Sequence, residues 1–172
     1  MNLVVSDPLK NHWEETVARE FLLATGNPCK VLRAGLPPEP DIVCEHRRTG
    51  RQVGIEVVSV YYDQKHAKSV WMEARGKNAP SYAIRRKDSV ENVRLLAGSL
   101  RQIRAKSRKR YSVNDHLLLV VYTYPRRLYL RTIEKRLATL RLPSRHPFDE
   151  IYIMSINFEV YCLFPNKTWI LR

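Results

Sequence analysis

The chain is short of most residues and patterns that mark special protein classes. It has 6 glycines in 172 residues and no internal repeat, which excludes fibrous and low-complexity folds. Its three cysteines, Cys29, Cys44 and Cys162, are odd in number, widely spaced and set in apolar stretches without a CxxC pair. They predict buried reduced thiols rather than a disulfide framework or a zinc site. The longest apolar run, 117–122, falls far short of the ~20 residues that span a bilayer. The amino terminus has no basic segment followed by a long apolar one. A soluble, cytoplasmic protein is therefore expected. There is no P-loop, no dinucleotide-binding GxGxxG and no serine nucleophile elbow. His46, His66, His116 and His146 have no metal-ligand spacing.

Acidic residues are also scarce. Against 30 Lys+Arg stand 17 Asp+Glu, for a net charge of +13. Such an excess favours an anionic partner, either nucleic acid or an acidic membrane surface. It is uneven as well: residues 1–100 hold 15 basic and 12 acidic side chains (+3), and residues 101–172 hold 15 and 5 (+10). The carboxylates lie mostly in the first half and the positive field mostly in the second.

Hydrophobic periodicity predicts one α/β domain over 1–172 with a mixed central sheet flanked by helices. A helix over 10–25 carries Trp13, Val17, Phe21 and Leu22 at helical spacing, with Asp7 or Asn11 as its cap and Gly26-Asn27-Pro28 as its stop. Strands are expected at 29–32, 41–46 and 52–60, the last two joined through Thr49-Gly50 as a hairpin. Residues 61–87 read as polar and irregular, with room for a helix at 64–75. A long helix at 88–109 precedes a near-continuous apolar strand at 116–124, of the kind covered on both faces. A basic helix at 129–140 and two strands, 150–155 and 158–164, form the carboxyl-terminal extension.

One segment carries chemistry. Asp41 opens a strand and Glu56 lies inside the next, with fourteen residues between them across the hairpin, so their carboxylates can converge. Two such groups make a site for a hard divalent cation. The same Glu56, set among Val53, Ile55, Val57 and Val58, could instead be an ordinary solvent-facing residue of an edge strand.

The stretch PDIVCEHRRTGRQVGIEVV resembles the core hairpin of the PD-(D/E)xK nuclease superfamily, which includes restriction endonucleases and Holliday-junction resolvases. The order of elements over about 10–125 resembles that family's α-β-β-β-α-β core. The resemblance implies a restriction-endonuclease-like fold and a Mg²⁺- or Mn²⁺-dependent endonuclease acting on DNA. Asp41, Glu56 and the Val57 carbonyl would be its metal ligands, and Glu15 of the first helix would complete the shell, with Glu14 and Glu20 as competitors. The chain departs from the pattern at Val58, where the family has its lysine. Some members take that basic group from the following helix, and Ile103, Lys106, Lys109 and Tyr111 are similar to the helix ending of those variants. This implies Lys106 as the catalytic lysine, with Gln102 on the adjoining helical face and Lys109 and Arg101 behind it.

The basic clusters would hold the substrate: Arg85, Arg86 and Lys87; Arg101, Arg104, Arg108, Lys109 and Arg110; Arg126 and Arg127. Each could equally be a solvated helix face. The alternative reading is a nucleic-acid-binding protein that keeps the nuclease fold without catalysis, and Val58 favours it. A ribosome- or RNA-associated protein is a third. A homodimer is compatible with the family, though no dimer surface is legible. The membrane surface is the weakest partner, because every apolar face is needed for the core.

Overall fold

A computed structural model describes residues 7–61, 64–78, 88–112, 115–123 and 130–170. Helix α1 (Pro8–Thr25) starts where Asp7 accepts the Leu9 N–H at 3.1 Å and Pro8 supplies a ready helical φ. It ends at Gly26, whose left-handed φ of 63° lets the Asn27 N–H reach back to the Leu22 carbonyl. Strands β1 (Cys29–Ala34), β2 (Ile42–His46) and β3 (Gln52–Val60) follow, the β2–β3 turn passing through Gly50 at φ 69°. Helices α2 (Gln64–Ala74) and α3 (Asp88–Ser107) lead to β4 (His116–Thr123).

Beyond β4 the chain makes a 3-10 turn over Leu130–Ile133 and a short α4 (Glu134–Ala138). The continuous helix expected at 129–140 is therefore a 3-10 turn and one α-helical turn over its described part. Its apolar residues Leu130, Ile133 and Leu137 are buried all the same. The two expected strands, β5 (Glu150–Ser155) and β6 (Val160–Phe164), pair as an antiparallel hairpin, and the two-residue β7 (Thr168–Trp169), too short to leave a sequence signal, closes the sheet.

Among the described residues the sheet has seven strands in sequential order. Strands β3, β4 and β5 are parallel at its centre, and β1, β2, β6 and β7 are antiparallel toward the edges. Side chains alternate across the pleat, which explains the unbroken apolar run of β4. Leu118, Val120 and Tyr122 join Val17, Ala18 and Phe21 of α1 on one face. Leu117, Leu119 and Val121 join Leu95, Leu96 and Ile103 of α3 and Leu137 of α4 on the other. The α/β class with a mixed sheet covered by helices on both faces is the one expected. The three cysteines are buried and free; burial pushes the Cys44 thiol up to about 12.

Candidate active site

The β2–β3 ladder pairs Ile42 with Ile55 and Val43 with Gly54. Continued by one step it sets Asp41 opposite Glu56, but β2 begins only at Ile42, and here side chains replace the ladder. The Asp41 N–H donates to Glu56 Oε2 at 3.2 Å, and the Val57 N–H donates to Asp41 Oδ2 at 2.9 Å. Each residue thus orients the other, and both carboxylates come to one place where the two strands part. Glu56 is 2% exposed, so it needs partners to stay charged there.

The partner is Lys106. From the last turn of α3 its Nζ donates to Glu56 Oε1 and lies 3.8 Å from Asp41 Oδ2. Lys109 Nζ lies 3.7 Å from Glu56 Oε1. Burial draws the Lys106 ammonium down, but the charges of Asp41 and Glu56 outweigh it and hold the group above its ordinary range. Tyr111, whose hydroxyl donates to the Lys106 carbonyl at 3.4 Å, is pushed up by burial and by the charges of Glu56 and Asp41.

On α1 the outcome differs from expectation. Glu15 is turned away: Arg19 holds its Oε1 through Nη2 at 2.6 Å on the exposed side of the helix. Glu20 makes no contact with either site carboxylate among the described residues. The buried acid is Glu14, which Lys10 meets at 2.8 Å. Its carboxyl is raised by burial and then by the charge of Asp41, with Lys10 and Lys106 partly offsetting both. Lys10 is raised in turn: Glu14, helped by Asp41 and Glu56, outweighs the effect of burial. Glu14 and Lys10 are the pair that sequence reasoning undervalued. Their signal was the i,i+4 spacing of a lysine and a glutamate beside the apolar stripe.

Three carboxylates (Glu14, Asp41, Glu56) therefore stand with three ammonium groups (Lys10, Lys106, Lys109), an even balance. Among the described residues no three His, Cys, Asp or Glu side chains converge closely enough to cage an ion. A two-carboxylate site is nevertheless what Mg²⁺ ordinarily uses, keeping several waters and adding substrate phosphate oxygens. Asp41 and Glu56 already share one cation, the Lys106 ammonium, so the donor set fits a hard cation at that position. The Val57 carbonyl belongs to the same strand segment, next to Glu56.

The remaining expected residues divide into groups. Gln102, half-buried, and Arg101, exposed, line a cleft one to two turns back along α3 and make no described contact with the carboxylates. Arg104 projects to solvent from the last turn of α3, as do Arg108 and Arg110 from the segment after it, while Lys109 is exposed but has its ammonium beside Glu56. Arg85, Arg86, Lys87, Arg126 and Arg127 lie outside the described residues. The chain matches no family model, no curated protein and no solved structure.

Proposed function

We propose that the protein is a metal-dependent nuclease that hydrolyses phosphodiester bonds, with DNA as its substrate. The observation that carries the reading is the meeting of Asp41, Glu56 and Lys106, brought from a loop, a strand and a helix to one point. Val58, where a lysine would stand in the resembling family, is instead packed under α3, and α3 itself supplies the ammonium. The reading explains why a buried glutamate is kept within the apolar run 53–58 of β3 beside a partly exposed aspartate.

Asp41 and Glu56, with the Val57 carbonyl, would hold Mg²⁺ or Mn²⁺. When bound, such an ion supplies a water of lowered pKa and neutralises charge on the phosphate. The chain's own residues do the rest. The crossed hydrogen bonds between Asp41, Glu56 and Val57 fix the carboxylates before substrate arrives. Lys106, on the last turn of α3 beside both carboxylates, would orient the attacking water or neutralise charge on the phosphate. Buried Glu14 adds negative charge behind Asp41. The exposed Arg104, Arg108, Lys109 and Arg110 grip the backbone without reading sequence.

The even charge balance favours a second reading. With Lys106 already satisfying the carboxylates, the protein could bind nucleic acid without cutting it. Plasmid and single-stranded DNA incubated with Mg²⁺, Mn²⁺ or EDTA decide between the two. The nuclease reading expects metal-dependent cutting, abolished in Asp41→Asn and Glu56→Gln. Salt-sensitive binding with no cutting under any metal would establish the binding protein instead.

A further inference from the structure

The carboxyl-terminal half of β3 carries a feature that the carboxylate site does not use. Between α2 and α3 lies a cleft of about 480 Å³, within the size range of about 300–1,000 Å³ common for small-ligand sites. Among the described residues its polar lining is Ser59, Gln64, Arg94, Arg101 and Gln102, with Tyr61 as its aromatic wall, and no acidic residue lines it. Among the described residues neither Arg94 nor Arg101 is ion-paired.

Helix geometry explains the shape. Arg94, Gly98 and Arg101 stand at i, i+4 and i+7, a single stripe on α3. The two guanidinium groups flank a gap, because the residue between them has no side chain. Gly98 is also where helix and sheet approach closely: a Cβ there would meet Val60 Cγ1 at 3.0 Å and would lie 3.9 Å from Arg101 Nη2. The Arg101 guanidinium therefore lies close to Gly98 at the floor of the cleft while the residue stays exposed. Gln64 is the first residue of α2, so the positive end of that helix also borders the cleft. The rings of Tyr61 and His66 are nearly perpendicular, 5.8 Å between centroids.

This is a set of donors for an anion beside a flat apolar wall, with two carboxamides that both donate and accept. The cleft is also placed to follow the chemistry. Lys106 is eight residues beyond Gly98 on the same helix, about 12 Å along its axis at 1.5 Å per residue. We infer that this cleft seats one nucleotide of a single-stranded substrate, a few nucleotides from the scissile bond. Its phosphate lies between Arg94 and Arg101, and its base is against Tyr61 with its edge toward Gln64 and Gln102. The inference rests on the nuclease reading for its substrate and names the strand form that reading leaves open. A paired base inside a duplex cannot enter a space of this size, whereas an unpaired one offers both its face and its edge.

The test is binding without catalysis. Fluorescence anisotropy in EDTA would compare a labelled 12-nucleotide thymidine oligomer, the same oligomer with its bases removed, and a 12-base-pair duplex. Wild type should prefer the single strand. Tyr61→Ala and the double change Arg94→Gln with Arg101→Gln should each weaken single-strand binding about tenfold or more, at the scale of lost base stacking. Duplex binding should change far less. Base removal should weaken wild type but scarcely affect Tyr61→Ala. Lys30→Gln, which removes a charge on β1, controls for net charge, and melting curves confirm that each variant folds. Equal losses on single strand and duplex, or none on either, would overturn the cleft assignment while leaving metal-dependent cutting intact. The expected binding pattern in a protein that cuts under no metal would instead retain the cleft and remove the nuclease reading.

Discussion

At the scale of residues, the site is a competition for two carboxylates. Lys106 sits between Asp41 and Glu56, and on the proposed nuclease reading a divalent cation would compete with its ammonium for them. Lys106→Met keeps the length of the side chain and removes its charge. Titration calorimetry should then show Mn²⁺ binding about tenfold or more tighter, as expected when a cation about 4 Å from a carboxylate is lost from a half-buried site. Hydrolysis should fall by about 10²-fold or more, the usual weight of a positioned acid–base group. Unchanged Mn²⁺ affinity would mean that the ammonium and the metal occupy different places. The two neighbouring glutamates of α1 give a second contrast. Glu14→Gln should weaken Mn²⁺ binding severalfold without lowering the melting temperature, since it also removes a buried charge that burial and Asp41 both disfavour. Glu15→Gln should change neither, because Glu15 faces solvent with Arg19. The reverse pattern would return the role to Glu15.

Among the elements, the segment between β1 and β2 decides where Asp41 stands. Gly35 donates its N–H to the Asp41 carbonyl at 2.8 Å, and a Cβ on Gly35 would lie 1.8 Å from the Pro40 oxygen, so no other residue fits that approach. Arg33 grips Glu39 with two hydrogen bonds of 2.7 and 2.6 Å, and Glu39 Oε2 also accepts the Leu36 N–H at 2.9 Å. The Ser112 N–H reaches the Pro38 carbonyl at 3.0 Å, tying the loop that carries Asp41 to the segment that follows α3. The Arg33 guanidinium, helped by the Leu36 N–H, lowers the Glu39 carboxyl to about 2 from an ordinary 4.5. A depressed carboxyl stabilises the fold above its unfolded value and loses that effect as pH falls through its folded value. Wild type should therefore melt higher than Glu39→Gln at pH 6, with the difference shrinking below about 4.5 and gone near pH 2. A pH-independent difference would show that the loop owes nothing to the charge of Glu39.

For the whole molecule, charge and fold are nearly separate properties. The positive residues described at the end of α3, Arg104, Arg108, Lys109 and Arg110, are exposed and outside the core. Engagement of these four with phosphates should make binding affinity fall with a slope of about −3 in log affinity against log salt. Electrophoretic mobility or anisotropy over a salt series reads that slope directly. A value near zero would remove the α3 terminus from the interface. Among the described residues no helix is long and apolar enough to cross a membrane.

Much of this was legible because local pattern and tertiary environment agree. The amphipathic stripe of α1, the Thr49-Gly50 turn and the unbroken apolar run of β4 each reflect a burial requirement that the sequence states residue by residue. Asp41 and Glu56 were legible as a pair because a hairpin turn sets the register across it. Period and composition could not say which α1 glutamate faces inward, since Glu14 and Glu15 are adjacent and only docking of the helix against the sheet chooses between them. Nor could they place Gln102 and Arg101 beside a cleft, because that cleft is made by α2 and α3 meeting over Val60. Sequence by itself determined the elements through β4, the hairpin pair and the sign of the field, all set by neighbours close along the chain. The broken helix after β4 and the short β7 were not among them. Tertiary structure alone decided that Lys106 reaches Glu56 across fifty residues, because that contact depends on how a helix crosses a sheet.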